Sequence, residues 1–403
     1  MMGRLGGPRG TIGWMSNRLE TWQRMGDPDL EPLLAAAASL GAPGIEPAQL
    51  ERLRAVYGRD EVEIVLELTS ARRKAAAKFS AFESLMCDVS GVEQASGDLV
   101  AQHKAARFQG VGAVLDLCCG IGGDTMALAE SCSDVRAVDI DPVRAWMAGV
   151  NGGVEARVQD VADLDCRGTH VHVDPARRQA DGRRLWRYAD LEPGPKVFEP
   201  ILSAASGAAI KLGPGVDSAE LPEMDTRELE FIGGRGGLLQ AVLWCGDLAR
   251  RLGQHTATRL DSSSTTGLSY SAVPTDEVSV AERPGGFILV PDPALERARL
   301  IGTRIEGTPA RELAPGLGIL TSDVRLEDPW FEEHEILATL PWRPRKIREW
   351  LRGNDGGLVT IRSRGGAVDT DRAQLELRGD GEQAYTLFGL RLARRVVCLV
   401  VPG

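Results

Sequence analysis

The stretch VLDLCCGIGGD, residues 114 to 124, begins as an apolar strand and ends in a turn of small residues. At the carboxyl end of the first strand of a doubly wound sheet, a glycine-rich turn lets a ligand approach the backbone closely. The helix that follows offers free N–H groups to the same ligand. We expect a ligand-binding turn that includes Cys118, Gly120, Gly122 and Asp124.

The acids at the two ends of this turn discriminate between two ligands that it can bind. A dinucleotide places its pyrophosphate on a G-x-G-x-x-G turn, whereas S-adenosylmethionine carries no phosphate. A carboxylate at Asp116 repels a pyrophosphate but attracts the cationic amino group and the sulfonium of S-adenosylmethionine. The sequence therefore favours S-adenosylmethionine as the cofactor.

Two further acids follow the next two predicted strands. VRAVDIDP brings the second strand to an end at Asp139, where a carboxylate can accept hydrogen bonds from both ribose hydroxyls. VQDVADL places Asp160 at the end of the third strand, where it can accept from the adenine amino group. The competing interpretation is a glycine-containing turn with solvated loop acids. Acids at three successive strand ends favour the binding site.

Composition limits the class of protein. The 403 residues are 43% hydrophobic and carry a formal net charge of −10. The chain can therefore bury a large core, and any contact with nucleic acid must be local. No apolar run is long enough for a membrane helix, and the N-terminus lacks the apolar segment of a signal peptide. We expect a cytoplasmic protein without membrane contact.

Cysteines and histidines give little support for a metal site. The seven cysteines include no Cys-x-x-Cys pair, which argues against a disulfide framework and against zinc. His170 and His172 share one face of a predicted strand, as a metal-binding pair would. No cysteine or acid stands at a matching spacing, so burial of the two rings is the favoured alternative. We predict no metal.

The hydrophobic pattern divides the chain into segments. Three-to-four spacing predicts helices up to about Arg107, and short β-branched runs alternating with helices then predict a parallel, doubly wound α/β sheet. Beyond Gly253 a Ser/Thr-rich stretch precedes mixed α and β patterns. We predict a flexible extension at 1–28, a helical module at 29–107, a Rossmann-like domain at 108–252 and an α+β region at 253–325 and 326–403.

DLCCGIGGD, VDIDP and QDVADL, in this order, resemble motifs one to three of class I S-adenosylmethionine-dependent methyltransferases. The resemblance covers about Phe108 to Asp247. Most relatives have glycine where this chain has Cys118, so this turn is more crowded. The resemblance implies a methyltransferase (EC 2.1.1) with a Rossmann-like sheet. Its donor-binding residues would be Asp116, Cys118, Gly120, Gly122, Asp124, Asp139 and Asp160.

A narrower resemblance covers much of the remaining chain. KAAAKFS, SGVEQASGDLVAQHKAARF, HVDPARR and TIRSRGGAVD are similar to stretches of a bacterial methyltransferase family with a THUMP-like C-terminal domain. In that family a helical module precedes the catalytic sheet, and a ferredoxin-like segment and the THUMP-like domain follow it. Because THUMP domains proper bind RNA, the resemblance implies RNA, such as rRNA or tRNA, as substrate.

Asp174 and Pro175 follow the fourth predicted strand. Class I enzymes that methylate exocyclic amino groups carry an Asp/Asn-Pro-Pro-aromatic loop there. Its acid and a carbonyl accept hydrogen bonds from the amino group and aim the nitrogen lone pair at the methyl carbon. Here Ala176 and Arg177 replace the second proline and the aromatic residue, and an aspartate that only caps the turn is the alternative. We expect Asp174 and Pro175 to be catalytic.

Basic and aromatic residues near this loop are candidates for substrate binding. Five arginines between positions 177 and 187 predict a phosphate-binding surface, or else a solvated loop paired with acids. Lys104 and Arg107 can reach the donor pocket, although an exposed helix face is the favoured alternative. Lys211 ends the fifth strand near the substrate or at the surface. The predicted substrate-binding residues are Arg177, Arg178, Trp186, Lys104 and Arg107, with Tyr188 as another possible aromatic.

A second basic stretch lies near the C-terminus. WRPRKIREWLR, with Arg362 and Arg364 further on, interleaves aromatic and basic residues as nucleic-acid surfaces do. Trp342 and Trp350 can equally well face the core. The residues alone therefore leave both interpretations open.

These inferences predict an enzyme that transfers a methyl group from S-adenosylmethionine to a nitrogen of an RNA base. A non-catalytic RNA-binding or assembly factor that retains the fold is one alternative, because the Asp-Pro-Ala-Arg loop departs from the usual pattern. A small-molecule methyltransferase is the other, with the C-terminal half as a lid. The salt dependence of substrate binding distinguishes the RNA hypothesis from the small-molecule hypothesis, since binding to several phosphates weakens steeply with ionic strength.

Overall fold

The computed structural model describes residues 18–39, 46–177, 179–180, 183–184, 187–234, 237–261 and 267–403. The chain forms two compact units, one of Met1–Glu228 with Gln240–Leu252 and one of Leu229–Leu239 with Gly253–Gly403. Among the described residues, no helix is long and apolar enough to cross a membrane.

Helices occupy the N-terminal part of the described chain, and strands then alternate with helices. Helices α1 to α12 are Glu31–Ser39, Pro47–Tyr57, Arg59–Ala75, Val89–Gln94, Asp98–Ala105, Gly123–Ser131, Pro142–Gly152, Pro195–Ala204, Pro293–Arg297, Ile301–Arg304, Pro344–Gly353 and Thr370–Leu377. Strands β1 to β11 are Val114–Leu117, Val135–Asp139, Glu155–Val158, His170–Val173, Ala176–Arg177, Gln179–Ala180, Arg183–Arg184, Leu191–Glu192, Gly207–Leu212, Glu228–Gly234 and Gly237–Gly246. Strands β12 to β21 are His255–Arg259, Leu268–Ala272, Phe287–Pro291, Arg311–Glu312, Leu320–Ser322, Phe331–Glu335, Ala338–Pro341, Gly356–Ser363, Gln383–Leu392 and Arg395–Pro402.

The sheet of the first unit has the predicted α/β character. Its strands follow the order β11-β9-β4-β1-β2-β3. β1 is parallel to β2 and β4, with Val114 opposite both Val135 and His170. Every residue of β1, β4 and β9 is buried, as expected for a parallel sheet that is covered on both faces. The α/β fold class is confirmed.

β11 departs from the predicted all-parallel sheet. It runs antiparallel to β9, with Ala241 opposite Leu212. Only two residues separate β10 from β11, whereas a parallel connection needs a crossover of a dozen residues or more. Runs joined by so short a connection cannot both be strands of an all-parallel sheet.

Glycines fix how the helix after β1 packs. Gly122 precedes α6 in the left-handed region, at φ 85°, and a Cβ there would lie 2.8 Å from the Ala148 Cα of α7. A Cβ on Gly123 would lie 2.8 Å from the Ser96 carbonyl oxygen. Larger residues at either position would push neighbouring segments away from the turn.

The second unit is α+β. It contains two four-stranded sheets, ordered β15-β16-β14-β17 and β18-β21-β20-β19, together with strands β10, β12 and β13. Helices α11 and α12 cover one face of the second of these sheets through a core that includes Ile347, Leu351 and Leu387. The Ser/Thr-rich stretch contributes the described strands β12 and β13, and residues 262–266 between them lie outside the described part. The predicted segment boundaries remain predictions.

Candidate functional site

The carboxyl ends of β1, β2, β4 and β9 meet at one edge of the sheet, because neighbouring parallel strands end together. The Asp174 N–H, just beyond β4, donates to the Leu117 carbonyl at the end of β1 over 3.0 Å. The predicted catalytic acid therefore adjoins the predicted ligand-binding turn. Open α/β sheets bind their ligands at this edge.

The turn after β1 leaves room at one glycine. Gly120 has φ 57°, and no atom lies within 4 Å of the position that a Cβ would take. Its N–H donates to Asp139 Oδ2 over 3.0 Å, and the Asp141 N–H donates to Asp139 Oδ1 over 2.9 Å. Burial raises the pKa of Asp139, and these two N–H groups oppose the shift. Cys118 also has a positive φ, 55°, a backbone conformation that favours glycine over residues with a Cβ.

Two exposed side chains extend this edge. Ile140 directly follows Asp139 and is 69% exposed, so it offers an apolar surface beside the acid. Asp160 is exposed, and its Oδ1 accepts from the Ala162 N–H over 3.0 Å. The sequence analysis missed Ile140, although an apolar residue after a strand-end acid was the available signal.

The residues at this edge fit S-adenosylmethionine. The space at Gly120 can admit a ligand. Asp139 and Asp160 lie at two strand ends, where their carboxylates can accept hydrogen bonds from hydroxyl and amino groups. The exposed Ile140 can cover an adenine face. The predicted direct contacts of the donor-binding residues with the cofactor remain predictions.

Asp116 lies beneath the turn and is fully buried. Its Oδ1 lies 2.7 Å from His172 Nδ1, and its Oδ2 accepts from Thr125 Oγ1 over 2.5 Å. Both carboxylate oxygens are thus engaged by the protein. His172 and His170 are buried, as the alternative to a metal pair predicted, and His170 pairs with Asp247.

Lys104 and Asp124 form a buried ion pair, with Nζ 2.6 Å from Asp124 Oδ1. Lys104 is 1% exposed and also lies 3.2 Å from His172 Nε2. Ser96 donates to Asp124 Oδ2 over 2.9 Å. Burial opposes ionisation of Asp124, but the nearby positive groups, chiefly the Lys104 ammonium with His172 and Lys211, together hold the pKa of that carboxyl well below its usual range. The exposed helix face favoured for Lys104 is wrong, because the side chain fills a buried polar cluster.

Arg107 is half-buried, with its side chain only 10% exposed. Its guanidinium donates to both carboxylate oxygens of Glu228, over 2.7 and 2.9 Å. The same group lies 4.2 Å from the centre of the Trp244 ring. The favoured exposed face is therefore wrong for Arg107 as well, and contact of Lys104 or Arg107 with substrate stays a prediction.

Lys211 connects the acid after β4 with the helical region. It is only 8% exposed, so the surface alternative is wrong. Its Nζ lies 2.7 Å from Asp174 Oδ2 and 2.8 Å from the Gln94 carbonyl. Lys78 donates to the carbonyls of residues 92, 93 and 95 nearby. The two ammonium groups thus hold the C-terminal end of α4 beside Asp174.

The loop after Asp174 forms a short antiparallel pair of strands. Pro175 is buried, and β5 pairs antiparallel with β8, with Arg177 opposite Leu191. Only the backbone of Arg177 is described, and Arg178 and Trp186 lie outside the described residues. Tyr188 is buried and donates to Glu199, so it does not supply the exposed aromatic suggested as an alternative.

Comparison with known proteins identifies the family. A family model described as THUMP domain-like matches residues 332–401. An uncharacterized S-adenosylmethionine-dependent methyltransferase of Mycobacterium tuberculosis (strain CDC 1551 / Oshkosh) is 35% identical over 358 residues, which cover 83% of this chain and 94% of that protein. The crystal structure of a candidate methyltransferase from Porphyromonas gingivalis W83 superposes with a TM-score of 0.67 at 16% identity and covers 97% of this chain and 98% of that one. This chain therefore belongs to the bacterial family of class I S-adenosylmethionine-dependent methyltransferases that carry a THUMP-like domain.

Proposed function

We propose that this methyltransferase modifies a nitrogen of an RNA base. The observation that carries the proposal is the setting of Asp174, which adjoins the turn after β1 and pairs through Oδ2 with Lys211. In the described part of the chain, its Oδ1 has no hydrogen-bond partner, and the side chain is 26% exposed. A fixed carboxylate with one open oxygen suits an amino group as its hydrogen-bond donor.

The residues of this chain position the acceptor nitrogen. When bound, S-adenosylmethionine supplies an electrophilic methyl carbon. The amino group of the base donates to Asp174 Oδ1, which aims the nitrogen lone pair at that carbon. Asp174 would hold the nitrogen in line with the methyl carbon–sulfur bond of the bound donor, so that the nitrogen–carbon bond could form as the carbon–sulfur bond breaks, and the nitrogen would lose its proton to solvent beside Asp174. Buried Pro175 limits the movement of the loop.

The cofactor would be held from two sides. Asp139 would accept from the ribose hydroxyls, Asp160 from the adenine amino group, and Ile140 would cover the adenine ring. Asp116 and Asp124 would act from beneath, since their bonds to Thr125, His172 and Lys104 fix the turn. We retain Arg177, Arg178 and Trp186 as the residues proposed to bind substrate.

RNA is the substrate class that the domain composition supports. The THUMP domain-like match in the second unit is the feature that favours it. The five arginines between positions 177 and 187, on a chain of net charge −10, agree with this choice.

Labelling tests the proposal. Purified protein is incubated with S-adenosylmethionine that carries a labelled methyl group and with total RNA from cells that lack the protein. We expect label in a discrete RNA species, and nucleoside analysis of that species to show an N-methylated base. Donor binding without label in RNA would refute the proposal in favour of a small-molecule or protein substrate. Absence of donor binding would favour a non-catalytic factor.

A further inference from the structure

One end of the β18-β21-β20-β19 sheet carries a group of arginines that the proposed chemistry does not use. We call this group the arginine surface. All its members are exposed, and in the described part of the chain none forms an ion pair. They come from the start of α11, from the adjoining ends of β20 and β21, and from the turn between these two strands. The members are Arg343, Arg345, Arg391, Arg394 and Arg395.

Strand pairing brings these two segments together. The Trp342 N–H donates to the Val396 carbonyl over 3.0 Å, just beyond the pairing of β18 with β21. Arg391 of β20 lies opposite Val396 of β21. Residues directly opposite each other on antiparallel strands project to the same face. Trp342, Val396 and Arg391 therefore form one row across three strands.

The Trp342 ring is anchored but not covered. It is half-buried and packs against the core beneath α11. Gly389 makes room for it, since a Cβ at Gly389 would lie 2.9 Å from the ring. An anchored aromatic ring in the same row as Arg391 combines a stacking platform with phosphate-binding charge.

Arg362 and Arg364, which the sequence analysis also singled out, are already neutralised. Arg362 pairs with Glu332 over 2.8 Å, and Arg364 pairs with both carboxylate oxygens of Glu296. Asp369, near the same end of the sheet, uses its Oδ1 to cap α12. Arg362 and Arg364 therefore add no unpaired charge at this end of the sheet, whereas the members of the arginine surface do.

We propose that the arginine surface and Trp342 bind a single-stranded segment of the RNA. The guanidinium groups would contact successive phosphates, and one base would stack on Trp342. The identity of the ligand as RNA rests on the proposed function. A half-buried ring in a row with an arginine suits a nucleic-acid strand, because one base can stack on the ring while the neighbouring phosphate contacts the guanidinium.

Fluorescence anisotropy with a labelled 12-nucleotide oligouridylate tests the proposal on the full-length protein. The double variant Arg391→Glu/Arg394→Glu should bind at least about tenfold more weakly near 0.1 M salt. If two phosphate contacts are lost, the slope of the logarithm of the binding constant against the logarithm of the salt concentration should become shallower by about 1.4. The matched control Arg352→Glu/Arg378→Glu changes the same charge at other exposed sites of this domain and should change affinity less than about twofold.

The tryptophan provides a second measurement that charge alone does not affect. Trp342→Leu should weaken oligouridylate binding about tenfold and Trp342→Phe only slightly, because stacking needs an aromatic face. Neither should alter binding of a duplex of equal length. Equal losses in both double variants, or no loss in either, would overturn the proposal, as would binding only to phosphatidylserine vesicles. Because this assay needs no donor, it can succeed even if RNA is not methylated.

Discussion

Lys211 Nζ lies 2.7 Å from Asp174 Oδ2, across the neighbouring strand ends of β9 and β4. The ammonium also binds the Gln94 carbonyl, so it is fixed from a second side. The ion pair engages one carboxylate oxygen and leaves the other without a hydrogen-bond partner among the described residues. This relationship makes Asp174 the residue on which the proposed reaction depends most.

Replacement of Asp174 tests this directly. We expect Asp174→Ala to lower kcat for RNA methylation by about 10²–10³-fold, because the acceptor nitrogen is no longer oriented. Affinity for S-adenosylhomocysteine, measured by calorimetry, should stay within about twofold, since the acid faces the acceptor. Methylation by this variant at the wild-type rate would refute the assigned role.

Lys211 should act as a positioning residue. We expect Lys211→Met to lower kcat by about tenfold or more with a smaller change in KM, because the Asp174 carboxylate loses its fixed partner. Lys211→Arg should restore most of kcat, since it keeps the charge. Steady-state kinetics of both variants distinguishes positioning from a general loss of folded protein. A loss of folded protein would lower kcat in Lys211→Arg as well.

Gly120 provides a test of the cofactor position. A Cβ at Gly120 meets no protein atom, and Gly153 is a matched control with φ 62° and equally open space. We expect Gly120→Ala and Gly153→Ala each to cost about 1 kcal/mol of folding free energy through the positive φ. Only Gly120→Ala should weaken S-adenosylmethionine binding, by about tenfold or more. Equal donor affinity in the two variants would place the cofactor elsewhere.

Cys118 should be replaceable by glycine with a gain in stability. Its φ of 55° is unfavourable for a residue with a Cβ. We expect Cys118→Gly to raise the free energy of unfolding by about 1 kcal/mol in urea titrations. Cys119→Gly should instead destabilise the protein, because Cys119 is buried and has no positive φ. A loss of stability in Cys118→Gly would contradict this account of the turn.

Removing one partner of the buried Lys104–Asp124 ion pair should lower the stability of the folded protein strongly. We expect Lys104→Met to destabilise the protein by about 3–5 kcal/mol, because Asp124 is left charged and buried. The double variant Lys104→Met/Asp124→Leu should recover much of this loss. Urea unfolding of the two single variants and the double variant measures the coupling, and additive effects would contradict the pairing.

The same pair predicts a dependence of stability on pH. The pKa of Asp124 is lower in the folded protein than in the unfolded chain, so below about pH 4 the unfolded chain binds the additional proton. The stabilisation is complete above this range and is lost as the pH falls. Between pH 6 and 3 the double variant should therefore lose less stability than the wild type. Parallel losses would argue against a charged Asp124.

Much of the fold was predictable from local pattern. The alternation of β-branched runs with helices indicated the sheet, and the spacing of apolar residues indicated the N-terminal helices. The direction of β11 was missed because all strand runs were taken as parallel, although the connection of two residues was visible in the sequence.

The position of the site was predictable from the sequence, but the hydrogen-bond and ion-pair partners of its residues were less so. Asp174 and the turn at Gly120 lie together at the sheet edge, as strand-end reasoning requires. The burial of Lys104 and Lys211 was not predictable, because their partners Asp124 and Asp174 are distant along the chain. Patterns of hydrophobicity also assign such charged residues to the surface by default.

The most direct test is transfer of labelled methyl groups from S-adenosylmethionine to RNA by the wild type and by Asp174→Ala in parallel. The RNA comes from cells that lack the protein, and nucleoside analysis identifies the product. We predict an N-methylated base in a discrete RNA with the wild type and about 10²–10³-fold less with the variant. Absence of label in RNA with donor-bound wild-type protein, or equal labelling by both proteins, would contradict the account.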